Sequence, residues 1–174
     1  MSGSVLFLDL ATRTGWCEGV PGETPTSGTL RLAPAGSSPA AVYGGLVAFL
    51  GTRLTALRYR AVAYEAPMDP RHMKTNINTA RVLLGMPAIV EGLAYQTGHH
   101  RLFEANVHDV RKHLLGYRPQ AGEAKRVVMG ALRQLGFDPR DDNEGDAIAG
   151  WLYACAVLSP GTAAASTPLI GRRT

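Results

Sequence analysis

The sequence predicts an α/β fold: a mixed five-stranded sheet, made of an antiparallel three-strand meander plus parallel strands, flanked by helices. Three observations predict it. Residues 5–33 contain three short strand-like runs in succession, joined by turns, which implies an antiparallel meander. Two later runs, AVAYE and RLFEA, are each preceded by a helix-length stretch, which makes them parallel to the first strand. The final third is helical in pattern, with Gly116 and Gly136 placed as stops.

The first strand lies in VLFLDLATRTGWC, where four apolar residues precede Asp9 and Leu10 follows it, so Asp9 reads as the centre of a run buried on both faces. TRTG reads as a turn. GWCEGV and TSGTLRLA read as strands two and three, joined across Pro21-Gly22. Ala35 to Pro39 is a small-residue linker with Ser38 as N-cap and Pro39 at the first helical position. That helix carries Val42, Leu46, Phe49, Leu50, Leu54 and Leu57 at helical spacing and ends near Arg58 to Arg60. AVAYEAP is a second apolar run ending in an acid, Glu65, and Pro67 stops it.

A polar loop (69–76) leads to a helical stretch with Val82, Leu83, Val90 and Leu93, where Pro87 predicts a kink or break. RLFEAN is the fifth strand. Asn106 with Asp109 caps a short helix that ends at Gly116, a second helix runs from about Gly122 to Leu135, and a last helix runs from about Asn143 to Leu158. Beyond Pro160 the composition predicts a flexible tail. There is no internal repeat.

At 174 residues, 45% hydrophobic and 18% charged, the chain suits one domain with one core. No apolar stretch reaches the ~20 residues that span a bilayer, and the start of the chain lacks the basic residues of a signal peptide, so the reading is cytoplasmic, with no membrane partner. Cys17 and Cys155 read as small buried hydrophobes. The net charge of +4 is unevenly spread. Arg101 to Leu135 holds seven Lys or Arg against three acids, a surface for a polyanion, whereas Gly136 to Asp146 holds five acids against Arg140. Acids so crowded repel one another unless a cation sits among them, or they belong to a solvated loop.

Two carboxylates at strand positions, Asp9 and Glu65, are the chemical signal. A buried ionised carboxylate has to be paired, hydrogen-bonded, protonated or bound to a cation. DDNEGDAIAGW adds Asp142, Asn143 and Asp146 at three- and four-residue spacings that share a helical face, although Asn143 also reads as an N-cap and Asp146 as a dipole-favoured acid. Mg²⁺ wants such hard oxygen donors, and two ions about 4 Å apart suit phosphodiester hydrolysis.

These blocks, VLFLDLATRTGWC, AVAYEAP, the basic helices and DNEGDAIA, resemble in order and spacing those of RuvC-like Holliday-junction resolvases, especially phage-type versions, within the ribonuclease H-like fold. The resemblance covers Val5 to Leu158. It implies a ribonuclease H-like nuclease domain over 1–159 with a tail over 160–174. It also implies a homodimer that nicks four-way or branched DNA in pairs with Mg²⁺, for which Mn²⁺ substitutes, at two ions per site, in a host cytoplasm if the chain is phage-encoded. By position, Asp9, Glu65 and Asp146 correspond to catalytic, metal-holding acids. The fourth position is Asn143, which can ligate through its amide oxygen but brings no charge, and Asp142 is its rival as ligand. Lys125, in GEAKRVV, and Arg111 fall where the family keeps basic residues near the scissile phosphate. Arg71, Lys74, Lys112, Arg118 and Arg126 complete the expected DNA surface, with His72 beside the first two, and Met68 stands where bacterial members often carry an aromatic.

Three other functions share parts of this pattern. A YqgF-type nuclease acting on RNA would also suit DLATRTG, and Asn143 suits a junction-binding protein that has lost catalysis. An actin-like nucleotide-binding domain is disfavoured by chain length and by the lack of a second glycine-rich phosphate loop after Glu65. Trp16 and Trp151 read as core or interface aromatics, His99-His100 as an exposed loop pair, and Glu91 as a capping or interface group.

Overall fold

A computed structural model describes residues 3–67, 76–120 and 122–160. Arg71, His72, Lys74, Met68 and the tail from 161 onward lie outside the described residues. Five strands, β1 (Ser4–Asp9), β2 (Arg13–Gly19), β3 (Thr26–Arg31), β4 (Tyr59–Glu65) and β5 (Leu102–Ala105), form one sheet in the order β3-β2-β1-β4-β5. β1 pairs antiparallel with β2 and β2 with β3, while β4 runs parallel to β1 and β5 parallel to β4. The predicted meander and crossovers are both present, and β1 is central.

Strand periodicity divides the core in two. Val5 and Phe7 of β1 and Ala61 and Ala63 of β4 point to one face, packed by α3 (Val107–Leu115), α4 (Ala124–Gln134) and α5 (Asp142–Leu158). Leu6, Leu8, Val62 and Tyr64 point to the other, packed by α1 (Pro39–Ala56) and α2 (Ile77–Gln96). Asp9 and Glu65 continue the odd-numbered series, so both belong to the face covered by α5. Fully buried residues such as Leu46, Leu50 and Met86 each contribute roughly 1.5–3 kcal/mol of burial.

Local signals place most helix ends. Ser38 accepts a hydrogen bond from the Ala41 amide with Pro39 next in the chain, and Asn106 caps α3 through the His108 amide. Gly116 ends α3 at φ 76°, a left-handed conformation that glycine adopts without steric cost.

Several expectations need correction. β2 begins at Arg13, so TRTG is largely strand and the turn sits at residues 10–12; pairing of Arg13 and Thr14 with Arg31 and Leu30 of β3 outweighs their polar character. Asp9 ends its strand instead of lying at its centre. α2 runs unbroken past Pro87, because the buried stripe Val82, Met86, Val90 and Ala94 holds it against α1 and the sheet despite a cost of about 3 kcal/mol for an interior proline. The cap of α5 is Asp141, not Asn143. His99 is buried, with its ring nitrogens against the Thr97 hydroxyl at 2.9 Å and the Leu57 carbonyl at 3.2 Å, so it is no exposed loop pair with His100. Both cysteines are buried and free.

Candidate active site

Parallel pairing of β1 with β4 is in register as Leu8 with Tyr64, which brings the next residues, Asp9 and Glu65, side by side at the carboxyl ends of the two central strands. That edge is where open α/β sheets hold their ligands. The Ala66 amide donates to the Ala105 carbonyl at 2.8 Å, extending the β4–β5 pairing just beyond Glu65 and fixing the strand end.

Helix α5 supplies the third acid, and its approach depends on two glycines. A Cβ on Gly15, the residue paired with Asp9, would lie 2.0 Å from the Asn143 carbonyl oxygen, and one on Gly150 would lie 2.1 Å from the Phe7 ring. Only bare backbone lets α5 settle this close to β1 and β2. The indole of Trp151 then donates to the Val5 carbonyl at 3.0 Å across the same interface.

The acidic segment separates into two groups. Asp141 caps α5 through the Glu144 amide at 3.0 Å and accepts from Thr29 at 2.6 Å and Arg13 at 2.8 Å. Burial pushes its carboxyl up, but the Thr29, Glu144-amide and Arg13 contacts prevail and hold it below the usual range. Glu144 is 4% exposed and accepts from the Ser27 hydroxyl at 2.8 Å and the Arg140 amide at 2.8 Å, with the Arg140 guanidinium at 3.3 Å. These two acids pin the start of α5 onto β2 and β3. Their charge is answered by protein groups, so they call for no cation. Sequence reasoning had counted them only as part of a crowded acidic run; the signal available was an Asp three residues before a Glu at a helix start.

The second group is short of positive charge. Burial raises the Asp9 carboxyl to about 8, helped by repulsion from Glu65, Asp146 and Asp142 and opposed by Lys125. Burial and then Asp146 raise Glu65 to about 7 against Arg111, and burial raises Asp146 although Arg111 and Lys125 oppose it. Asp9, Glu65 and Asp146 thus share one electrostatic neighbourhood, with Asp142, Lys125 and Arg111 at its border. Asp142 forms an ion pair with Lys125, and that hydrogen bond holds its carboxyl below the usual range. Asn143 lies in the first turn of α5, with its carbonyl against Gly15.

Three oxygen-donor acids left in mutual repulsion have the chemistry that suits a hard divalent cation. Among the described residues no three His, Cys, Asp or Glu side chains are gathered tightly enough to enclose an ion by themselves.

Of the predicted basic residues, Arg111 is half-buried, and its Nε has no hydrogen-bond partner among the described residues. Lys112, Arg118 and Arg126 are exposed on α3, the following loop and α4. Arg118 contacts the His108 ring at 2.7 Å, and Arg126 pairs with Glu123 at 3.7 Å. The structure therefore brings Lys125 and Arg111 to the acids and leaves Lys112, Arg118 and Arg126 on the flanking surface. Glu91, expected to be a capping or interface group, accepts a hydrogen bond from Tyr64.

A cavity of about 180 Å³ opens beside Asp9 and Glu65, walled by Leu10, Ala66, Pro67, Leu83 and Pro87. Leu10, Leu83 and Pro87 were not read from the sequence as site residues. The misplaced proline in α2 was the one signal that could have found them.

No family model matches the chain, and no curated protein matches it in sequence. Solved structures match its fold. Thermus thermophilus RuvC superposes with a TM-score of 0.67 at 22% identity, covering 92% of this chain and 98% of that one. T. thermophilus RuvC in complex with Holliday junction substrate gives a TM-score of 0.70 at the same identity and coverage. The yeast mitochondrial Holliday junction resolvase Ydc2 gives a TM-score of 0.57 at 12% identity, covering 88% of this chain and 79% of that one. The mixed sheet in the order β3-β2-β1-β4-β5, with helices on both faces, is the ribonuclease H-like fold of RuvC.

Proposed function

We propose that the chain is a divalent-metal-dependent endonuclease that resolves four-way or branched DNA by paired phosphodiester hydrolysis, acting as a homodimer through one ribonuclease H-like nuclease domain over 1–159. The observation that carries this reading is the set of under-neutralised acids, Asp9 and Glu65 at adjacent central strand ends and Asp146 on α5, in a chain whose fold is that of junction resolvases.

Asp9, Glu65 and Asp146 would hold the metal, with the Asn143 amide oxygen as a neutral fourth donor; Asp142 serves less well because Lys125 already engages it. Mg²⁺, or Mn²⁺ in its place, would if held there supply Lewis-acid chemistry for phosphodiester hydrolysis, with two ions sharing the attacking and leaving sides. The strand ends keep Asp9 and Glu65 rigid, so their geometry needs no rearrangement when the substrate arrives. Lys125, 68% exposed and paired with Asp142 at the rim, carries an ammonium that could face the phosphate while keeping its contact with Asp142. Arg111, from the α3 side, neutralises part of the Glu65 and Asp146 charge and would lower the repulsion that the same phosphate meets there. Lys112, Arg118 and Arg126 extend the contact along the DNA backbone, as would Arg71 and Lys74, outside the described residues. Phosphate contacts supply affinity, and branch shape supplies selection.

The test is incubation of purified protein and Mg²⁺ with a four-way junction, a linear duplex and a structured RNA. Symmetric nicking of the junction alone supports the reading, and cleavage of the RNA alone replaces it with an RNA-processing one. Asn143 favours a second reading, a junction binder without catalysis, which prevails if the protein binds junctions yet cuts nothing with Mg²⁺ or Mn²⁺.

A further inference from the structure

The cavity beside Asp9 and Glu65 has a chemistry that the metal site alone does not explain. Beyond the two acids, the side chains of its described lining are apolar: Leu10, Ala66, Pro67, Leu83 and Pro87. Two acids at its mouth repel a bare phosphate, and among the described residues its walls offer a phosphate no cationic side chain. A group that fits must be uncharged, with an apolar face, and attached to whatever phosphate sits at the carboxylates.

The placing of Pro87 sharpens this. The residue is partly exposed on α2, outside the buried stripe, where almost any residue would serve the fold. Proline there removes the hydrogen bond that the Leu83 carbonyl would otherwise accept, a penalty that packing of α2 does not require. Leu83 and Pro87, one helical turn apart, are both cavity-lining residues, so the costly residue and its orphaned neighbour stand together at the site.

We propose that this cavity seats the nucleoside adjoining the scissile phosphate, its sugar and base edge lying against Leu83, Pro87, Leu10 and Pro67 while the phosphate faces Asp9, Glu65 and Asp146. The proposal rests on the endonuclease reading above and adds a positioning wall from α2 to it. A cavity of 180 Å³ admits a sugar ring with part of its base, and its continuity with the acids sets the reach between sugar and phosphate. Apolar contact restricts the phosphate to a few orientations, which counts directly in the rate of an in-line displacement.

The experiment compares wild type, Leu83→Trp and Pro87→Ala on an intact four-way junction and on junctions lacking the base immediately 5′ or immediately 3′ of the cut. Removing one of these bases slows the wild type about tenfold or more. Leu83→Trp, which fills the cavity, slows cutting of the intact junction by a similar factor, while junction affinity changes less than about threefold because phosphates dominate it. On the base-lacking junction the Trp variant and the wild type differ less than threefold, since both lack the same contact. Pro87→Ala restores the helical hydrogen bond and folds at least as stably, so its slower cutting and smaller response to base removal exclude a folding defect as the cause. Cutting of the intact junction at wild-type rate by Leu83→Trp, or indifference of the wild type to both base removals, overturns the proposal. If the wild type cuts duplex or RNA instead, the junction reading fails separately and the same comparison is made on the substrate that is cut. If it cuts nothing, both fail.

Discussion

Gly15 and Asn143 meet backbone to backbone: a Cβ on Gly15 would stand 2.0 Å from the Asn143 carbonyl oxygen and 3.1 Å from the Ala147 Cβ. Because Gly15 pairs with Asp9 in the sheet, this contact sets how near the first turn of α5 comes to the end of β1. Gly15→Ala therefore has to push α5 outward, carrying Asp146 with it. Overpacking of this kind costs about 1–3 kcal/mol and here would also move Asp146, the acid proposed to hold metal. The expected result is a lowered melting temperature together with a loss of Mg²⁺-dependent nicking larger than the loss of folded protein. Thermal melts and single-turnover cleavage measure the two.

The metal-free protein should lose stability as pH rises. Asp9 and Glu65 are raised from 3.8 and 4.5 to about 8 and about 7, chiefly by burial, so the folded state binds more protons than the unfolded chain between those limits. Below about pH 4 both states are protonated and the penalty is absent. It grows through the interval and is complete above about pH 8. In EDTA, denaturant midpoints at pH 5 should exceed those at pH 8, Asp9→Asn should flatten the difference, and Mg²⁺ should restore stability at pH 8. A metal-free profile that is flat or rises over this range contradicts the electrostatics described for the site.

The placement of these acids was legible from the sequence because strand periodicity is strict: Asp9 and Glu65 fall on the same parity as Phe7 and Ala63, and parallel pairing follows from the helices between them. Ser38 with Pro39 and Asn106 with Gly116 were legible for a similar reason, since capping is local chemistry. The start of α5 was not. Asp141, Asp142 and Asn143 are all good caps, and the choice among them is made by Thr29 and Arg13, more than a hundred residues distant in the chain. The roles of Asp141 and Glu144 stayed hidden for the same reason, because their partners lie on β2 and β3. Pro87 misled in the other direction, since tertiary burial of Val82, Met86 and Val90 overrides a local helix breaker.

Asn143 and Asp142 are separable by substitution. If the Asn143 amide oxygen is a neutral ligand, Asn143→Asp adds a charged donor, lowering the Mg²⁺ concentration needed for half-maximal cutting, whereas Asn143→Ala raises it. Asp142→Asn should change that requirement less, because Asp142 is engaged by Lys125. Asp146→Asn is expected to reduce cutting at least a hundredfold while junction binding persists. Metal titrations of cleavage rate, with gel-shift affinity measured in Ca²⁺, distinguish these outcomes.

Lys125 is 68% exposed, so its pair with Asp142 contributes little to folding and its removal should leave the melting temperature nearly unchanged. In the proposed mechanism its value lies in the transition state. Lys125→Ala should lower the single-turnover rate by about ten- to a hundredfold with only a small change in junction affinity. Lys112→Ala and Arg126→Ala should do the reverse. If each residue makes the proposed backbone contact, its loss weakens binding in a salt-dependent way and reduces the slope of log affinity against log salt by roughly one unit, with the cutting rate of bound junction preserved. Arg118 should show the smaller salt effect of the three, because its guanidinium is held at 2.7 Å from the His108 ring and must leave it to reach a phosphate. Affinity measured across a salt series, set beside single-turnover rates, separates the residues that hold DNA from the one that assists its hydrolysis.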